Sequence, residues 1–369
     1  MASMRGFNRT VYIQLLNNQD TWGTGAAAAG NDAEMYPVRV DGDPFQLGLE
    51  LIPDTDLVGG AEEATGQDEL SRTVTGTLSQ PRAYPHFLGF VCANGLGAES
   101  HATVTGCVVH EFTPYTTDST IPFFTVIDYF SSASPVYIEW PDCMVNSFTI
   151  SAERKGWLSC SADIIGSGRH VVTTGFTVGS AASAITAEPF LKAGDAFAWI
   201  KPSPTGALDV DPTPKTLDLD AGGSGTDVKA LVRSFNWTYN NNISTDDLYE
   251  FGSNDGSGHA VMGRAERMRR TQEVSFTLEL ENLTYYNYLA SQTELALEVE
   301  FISATLSGGT LYYGAQFQFP SIKLLTANIT GGTDKLFADF TGRVMVNDES
   351  TPSVTAHATV WNLQAAYLV

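Results

Sequence analysis

Apolar and polar residues alternate along most of the chain with a period of two, which is typical of strands that bury one face. The pattern predicts strands over 72–79, 145–151, 158–164, 273–280, 295–302, 322–330, 336–346 and 354–361. Glycines and Ser/Thr/Asn clusters separate these segments as turns. Apolar residues at helical spacing predict one short helix in each half of the chain, over Tyr84–Ala93 and Leu283–Ala290. The sequence therefore predicts a mainly β fold.

The order of these elements occurs twice, which indicates an internal duplication. The segments 140–151 and 319–330 both begin with an aromatic residue and a proline and then continue as an alternating strand. A polar turn and a further strand follow in both places. An Arg-Thr pair, at Arg72 in the first half and Arg270 in the second, begins the strand before each helix. We therefore expect two tandem β-sandwich or rolled-sheet domains with one short helix each.

The predicted limits in chain order are an N-terminal arm (1–31), a first domain (32–168), a connector (169–229), a second domain (230–349) and a C-terminal strand (350–369). The connector is rich in Gly, Ser, Ala, Thr and Pro and is expected to hold little core, with one or two strands around Phe197–Ile200. A small third domain is the alternative. Both ends of the chain carry many apolar residues, so both are expected to dock on the rest.

The charge and hydropathy of the chain argue against nucleic-acid binding, membrane association and secretion. The chain has 42 acidic and 20 basic residues among 369, a formal net charge of -22. A surface of this sign repels phosphate, so tight binding to nucleic acid is disfavoured, although a nucleic acid could pass along it without sticking. Since no run of 18 apolar residues occurs, no membrane partner is expected. The first 16 residues lack the apolar core of a secretory signal, so none is expected.

Residue types that catalyse reactions or bind metals are present without the spacing that such sites need. The six histidines show no HxxxH pattern. The acidic pairs, which a glycosidase could use, fall in predicted loops where solvated charge is the simpler interpretation. The cysteines form no CxxC pair and are expected to be reduced and mostly buried; they are Cys92, Cys107, Cys143 and Cys160. We expect no enzyme, no catalytic residue, no metal and no cofactor.

Several short motifs resemble, in the same order, those of the major tail tube protein of long-tailed, siphovirus-like bacteriophages. They are Asp20–Ala27 with its Trp-Gly-Thr, Arg72–Ser79, the Gly-rich helix end Cys92–Gly97, the turn His110–Pro114 and the strands within 123–129 and 140–165. The resemblance covers roughly residues 20–168 directly and 230–348 through the duplication. The first copy departs from the second by about twenty extra residues between its helix and its aromatic-Pro strand.

This resemblance implies a structural virion protein of the phage tail, assembled in the host cytoplasm. Six such domains make a ring, and rings stack into a hollow tube through which genomic DNA passes without specific binding. Two domains per chain would give trimeric, pseudo-hexameric rings. The expected partners are the chain itself and other tail proteins: tail tip, tape measure and terminator. The alternatives are a baseplate or capsid decoration protein and an extracellular carbohydrate-binding β-protein.

Two charged runs precede the Arg-Thr strands, at equivalent places in the two copies. The acidic run lies within 54–69 and the basic run within 264–270. Opposite charges on equivalent loops would let successive rings contact each other through alternating ion pairs. The candidate contact residues are Asp54, Asp56, Glu62, Glu63, Asp68, Glu69, Arg264, Arg267, Arg269 and Arg270. The alternative is that the runs are two independent solvated loops.

Overall fold

A computed structural model describes residues 9–14, 21–25, 34–38, 40–41, 45–54, 66–104, 107–115, 121–131, 135–173, 176, 188–202, 225–264, 266–305, 312–331, 335–346 and 355–368. Within these residues the chain forms twenty β-strands and two α-helices, which confirms the mainly β prediction. The N-terminal half (β1–β10, α1) comprises β1 Arg9–Gln14, β2 Met35–Val38, β3 Gln46–Asp54, β4 Gly66–Gln80, α1 Pro85–Leu96, β5 Gly97–Val104, β6 Cys107–Pro114, β7 Phe124–Phe130, β8 Val136–Glu153, β9 Leu158–Gly166 and β10 Val171–Thr173.

The C-terminal half (β11–β20, α2) comprises β11 Ala196–Pro202, β12 Thr226–Asp227, β13 Val232–Asn240, β14 Tyr249–Asn254, β15 Ala260–Met262, β16 Thr271–Glu279, α2 Thr284–Ala290, β17 Leu295–Thr305, β18 Tyr312–Gly331, β19 Leu336–Val344 and β20 His357–Asn362. Three strands, β10 of the N-terminal half and β11 and β12 of the C-terminal half, lie in the segment predicted to be a connector. Because β11 pairs along its length with β17, that segment contributes to the C-terminal sheet.

Both predicted helices are present. Helix α1 begins at Pro85, a residue well suited to a first helical turn, and ends at Leu96, which is followed by Gly97 with a φ of 93° that suits glycine. It runs three residues beyond the predicted end, through an Asn-Gly pair that is typical of a turn. The position of Gly95 in the helix has no room for a side chain, because an added Cβ would come within 2.7 Å of the ring of Phe148.

The two longest strands, β8 and β18, each exchange one partner for another at the middle. Cys143 is the residue at which β8 passes from β7 to β9, and Ile322 is the residue at which β18 passes from β17 to β19. Each lies three residues after the aromatic residue of an aromatic-Pro pair, Trp140 or Phe319. Proline is tolerated there because the strand bends and changes ladders.

The C-terminal parts of β8 and β18 belong to one antiparallel sheet of eight strands, which we call the main sheet. Its order is β3-β4-β9-β8-β13-β16-β19-β18. The pairing of β8 with β13, called the internal junction below, makes the sheet continuous across the two halves. The main sheet therefore ends at β3 on one side and at the C-terminal part of β18 on the other.

A second layer uses the N-terminal parts of the same two long strands. There β8 pairs with β7 and β10, while β18 pairs with β17 and β20. Strand β1 pairs with β2 and β7, and β20 pairs with both β18 and β6, so the expectation that both ends of the chain dock is confirmed. The β5–β6 hairpin accounts for the extra residues of the first half, and β20 binds it.

The apolar faces of both layers and all of α1 share one core. Its largest fully buried side chains include Trp237, Tyr239, Phe148 and Phe317. All four cysteines are buried and free of disulfides, as expected from the absence of close Cys pairs. Burial raises the pKa of the Cys107 thiol to about 11, so this thiol is protonated at neutral pH.

Candidate functional site

One face of the main sheet packs on the core, and the other carries an almost continuous layer of short polar side chains. The strands alternate strictly enough that hydroxyl groups stand next to hydroxyl groups across several ladders. These residues are Thr73, Thr75, Thr77, Ser79, Ser147, Thr149, Ser151, Ser159, Ser161, Ser234, Thr238, Ser275, Thr277, Thr326, Thr330 and Thr341. We call this surface the polar face.

Hydrogen bonds across strands hold these side chains in place. Asp163 accepts hydrogen bonds from Thr77 (3.1 Å) on one neighbouring strand and from Ser147 (2.8 Å) on the other. Asp339 similarly accepts one from Thr277, at 2.7 Å. The hydrogen bonds of these two carboxylates are made within the sheet. The polar face is therefore an acidic and hydroxyl-rich surface whose carboxylates already have partners.

The charges on the polar face are mostly negative. The acidic residues on it are Glu50, Glu153, Asp163, Glu273, Glu279 and Asp339, and the basic residues at its strand positions include Arg233, which pairs with Glu279, Lys323 and Arg343. Such a surface repels a polyanion, and its few cations offer little to pair with phosphate. The arrangement therefore disfavours tight binding of nucleic acid.

Both edges of the main sheet are open among the described residues. Strand β3 pairs with β4 alone, and the C-terminal part of β18 pairs with β19 alone. Large apolar side chains are exposed along these edges, among them Leu49 (47%) and Ile329 (44%). An unpaired strand edge with apolar side chains is a ready surface for pairing with another strand.

The comparison with protein families decides what kind of protein has this surface. Residues 15–344 match the model of the family described as phage tail tube protein. The chain belongs to this family. The match spans both halves and the internal junction, so it covers nearly the whole chain. The comparison with curated proteins returned no match.

Membership in the tail tube family makes the chain a structural rather than an enzymatic protein, a component of the virion tail that assembles with itself and with other tail proteins. Within the part of the chain that the structure describes, no group of three His, Cys, Asp or Glu side chains could hold a metal ion. No described helix is long and apolar enough to cross a membrane.

The acidic run predicted to contact a neighbouring ring lies mostly outside the described residues. Asp56, Glu62 and Glu63 fall in that part, and only the backbone of Asp54 is described, at the end of β3. Asp68 is exposed on β4. Glu69 accepts a hydrogen bond from Arg72, which lowers the pKa of Glu69 below its ordinary value.

The arginines of the basic run make contacts within the chain. Arg264 forms ion pairs with Glu250 (3.3 Å) and Glu266 (2.8 Å) and is half exposed. Arg267 donates to the backbone carbonyl of Tyr115 at 3.0 Å, and Arg270 donates to the hydroxyl of Tyr239 at 3.2 Å.

Arg269 has an exposed side chain. The structure brings the basic run close to the internal junction and leaves Arg264 and Arg269 as its most exposed members.

A partly buried ionic cluster that the sequence did not indicate ties the two halves together. Arg72 on β4 forms an ion pair with Asp255 in the β14–β15 turn, at 2.7 Å. Partial burial raises the pKa of Asp255, but hydrogen bonds from the His259 ring and from the amides of Ser257 and His259 outweigh this effect and lower the pKa to about 2.

The C-terminal residues are held by a second buried carboxylate that sequence reasoning also missed. Glu99 accepts hydrogen bonds from the amides of Tyr367 (3.0 Å) and Leu368 (2.6 Å) and from His110 Nδ1 (2.8 Å). Its side chain is only 2% exposed. Since Glu99 lies in a polar stretch of the sequence, no local signal marks it as a buried anchor.

Proposed function

We propose that this chain polymerises into stacked rings that form the hollow tail tube, with the polar face of the main sheet lining the lumen through which DNA is ejected. The observation that carries the proposal is a single sheet that is apolar on one face, hydroxylic and acidic on the other, and open at both edges. Joining such sheets edge to edge pairs the open edges and places one uniform face inside. Family membership supports the same conclusion.

We further propose that the two halves are tandem tail tube domains, with the predicted limits 32–168 and 230–349 and a connector over 169–229. The equivalent partner changes at Cys143 and Ile322 support this duplication, since each is followed two to four residues later by a register shift against the next strand. The pairings of β1 with β7 and of β11 with β17 match as well, which favours an earlier start for both domains. Two domains per chain then give a trimeric, pseudo-hexameric ring.

Three copies of the eight-stranded main sheet would close into a barrel of twenty-four strands. The mass of an isolated ring and the rotational symmetry of end-on views in the electron microscope test this. Three chains per ring are expected. A ring of six chains would contradict the duplication, and a lumen lined by the apolar face would contradict the assignment of the polar face.

The remaining parts of the proposed function concern contacts along the tube. The tail tip, tape measure and terminator proteins are the proposed partners at its ends and inside it, with assembly in the host cytoplasm. Successive rings are proposed to contact through the acidic run of one and the basic run of the next. The exposure of Asp68, Arg264 and Arg269 supports this, although Arg264, Arg267 and Arg270 also have partners within the chain.

The inter-ring contact is tested by reversing the two exposed arginines, Arg264→Glu and Arg269→Glu. Exposed ion pairs contribute about 0–1 kcal/mol each, so folding is expected to persist while tube growth slows at low salt. Reversing Asp68 to Lys in the same chain is expected to restore part of the growth. Normal growth of the double arginine variant would remove these residues from the contact.

A further inference from the structure

The internal junction between β8 and β13 has two sides with different chemistry. On the core side, Ile150 stands opposite Trp237, and both are fully buried. On the polar face, Thr149 stands opposite Thr238, with their hydroxyl oxygens 3.4 Å apart. The junction therefore combines strand pairing, apolar burial and a hydroxyl contact in one fixed register.

The residues of β18 that correspond to the β8 side of this junction are found by counting from the residue at which each strand changes its partner. Thr149 lies six residues after Cys143, and Asn328 lies six residues after Ile322. By the same count Ile150 corresponds to Ile329. The C-terminal part of β18 thus repeats the side of the junction that β8 provides, but without a β13 beside it.

The other side of the junction is repeated by β3. In the N-terminal half, the residue after Cys143 begins a row of directly paired residues that crosses β9 and β4 and ends at Gln46 on β3. In the C-terminal half, the residue after Ile322 begins the equivalent row, which crosses β19 and β16 and ends at Thr238 on β13. By this correspondence Phe45 takes the place of Trp237. Strand β3 thus repeats the side that β13 provides, but without a β8 beside it.

Burial agrees with a missing neighbour most clearly at β18, since Phe45 beside β3 is already buried within its own chain. Ile150 at the internal junction has no exposed surface, whereas its counterpart Ile329 is 44% exposed. Gln46 and Asn328 are both exposed, while Thr149 and Thr238 are only partly so. The two open edges of the main sheet are therefore the two halves of one junction, located at opposite ends of the same sheet.

We infer that β3 of one chain pairs antiparallel with the C-terminal part of β18 of a second copy of this chain, with Gln46 opposite Asn328 and Phe45 opposite Ile329; this rests on the proposed ring. The contact is heterologous, because each chain presents β3 on one side and β18 on the other, and heterologous contacts close into rings when the rotation allows. The internal junction is the template for the junction between chains.

The same correspondence between the two halves indicates which strand packs on the exposed side of α2. Helix α1 packs against β20 of the C-terminal half, and β20 takes the position beside β18 that β10 takes beside β8. Phe87, the third residue of α1, is fully buried, whereas Tyr286, the third residue of α2, is 37% exposed. Val172 on β10 is 66% exposed. In the ring, β10 of the chain that provides β3 covers the exposed side of α2 of the chain that provides β18.

Engineered disulfides test the register. Tubes of the variant Gln46→Cys with Asn328→Cys are assembled under reducing conditions and then oxidised. The matched control is Gln46→Cys with Thr330→Cys, which keeps the same face but is offset by one diagonal step. Directly opposed residues lie within disulfide reach, whereas diagonal ones lie about 7–8 Å apart, beyond the Cβ separation of about 4 Å that a disulfide needs. The natural chain, with four buried thiols, controls for other bonds.

The expected result is a covalent trimer on a non-reducing gel for the 46/328 pair and at least a tenfold slower reaction for the 46/330 pair. Equal crosslinking by both pairs, or none by either in well-formed tubes, would overturn the register while leaving the proposed tube intact. Failure of the natural chain to form rings would overturn the proposed function itself.

A measurement on the natural chain needs no substitution. Amide hydrogen exchange in residues 45–49 and 325–330 is expected to slow on assembly, because both edges gain hydrogen bonds. Unchanged exchange in both segments of assembled tubes would contradict the inference.

Discussion

The two helices occupy equivalent places in the two halves but have opposite environments. All twelve residues of α1 are buried, whereas none of the seven residues of α2 is. On α2, Tyr285, Tyr288 and Leu289 pack against the core, while Leu283 and Tyr286 remain exposed. The difference does not come from the strands that precede the helices, which pair in the same way.

The two helices differ in the chain segment that packs on the side facing away from their own half. Strand β20 and the C-terminal residues cover α1, and Tyr367 approaches so closely that a Cβ on Gly89 would come within 2.3 Å of its ring. Within the described residues, no strand covers the outer side of α2. The comparison teaches that α1 is buried because the other half of the same chain covers it, and that α2 has no equivalent cover among the described residues.

The largest expected effect is that of removing this cover. Deleting residues 355–369 removes β20 and the groups that bind Glu99, so the apolar surface of α1 becomes exposed and the chain is expected to be insoluble. The matched variant is Val171→Ser with Val172→Ser in β10, the strand equivalent to β20, which should leave the unassembled chain soluble. Soluble expression is the measurement, and a soluble deletion variant would disprove the role of β20.

A smaller effect is expected from truncating the third residue of each helix. Phe87→Ala leaves a cavity in the core and is expected to lower the free energy of unfolding by about 3–5 kcal/mol. Tyr286→Ala removes a partly exposed ring and is expected to lower it by no more than about 1 kcal/mol. Denaturant unfolding of the unassembled chain measures both. Equal losses would show that the environments of α1 and α2 are alike after all.

Folding stability is expected to decrease in acid because of a histidine on β20, the strand that covers α1 and has no equivalent over α2. Burial lowers the pKa of His357 from 6.5 to about 4. As the pH falls from 6.5 towards 4, the unfolded chain binds a proton at this histidine and the folded chain does not, so folding stability decreases over that window. His357→Gln is expected to reduce this slope, measured by unfolding at several pH values. An unaltered slope in His357→Gln would show that His357 is not its source.

The smallest effect on folding is expected at β10. Val172→Asp changes a side chain that is 66% exposed and is expected to alter the free energy of unfolding by about 0.5 kcal/mol or less. Assembly into tubes, followed by light scattering, is nevertheless expected to slow, because a carboxylate would face the apolar side of α2 in the next chain. Unaltered assembly would mean that α2 has another cover.

Much of the fold could be predicted from the sequence because its signals are local. A period of two marked strands such as β9 and β16, and helical spacing marked α1 and α2. The aromatic-Pro pairs marked two equivalent strands, β8 and β18, which in the structure begin several residues before those pairs. The acidic excess also indicated a surface that repels nucleic acid. Each of these depends on residues a few positions apart, and no tertiary contact is needed to recognise it.

Tertiary structure alone decided which strand edges meet. The pairing of β8 with β13 and of β20 with β6 joins segments far apart in sequence. The groups that pair at a strand edge belong to the backbone, which is the same for nearly every residue type, so the sequence does not specify the partner strand. The polar face escaped prediction because Thr and Ser alternating with apolar residues are typical of any solvated strand face. That face became a candidate site only when eight strands lay side by side, because a continuous surface depends on the order of the strands.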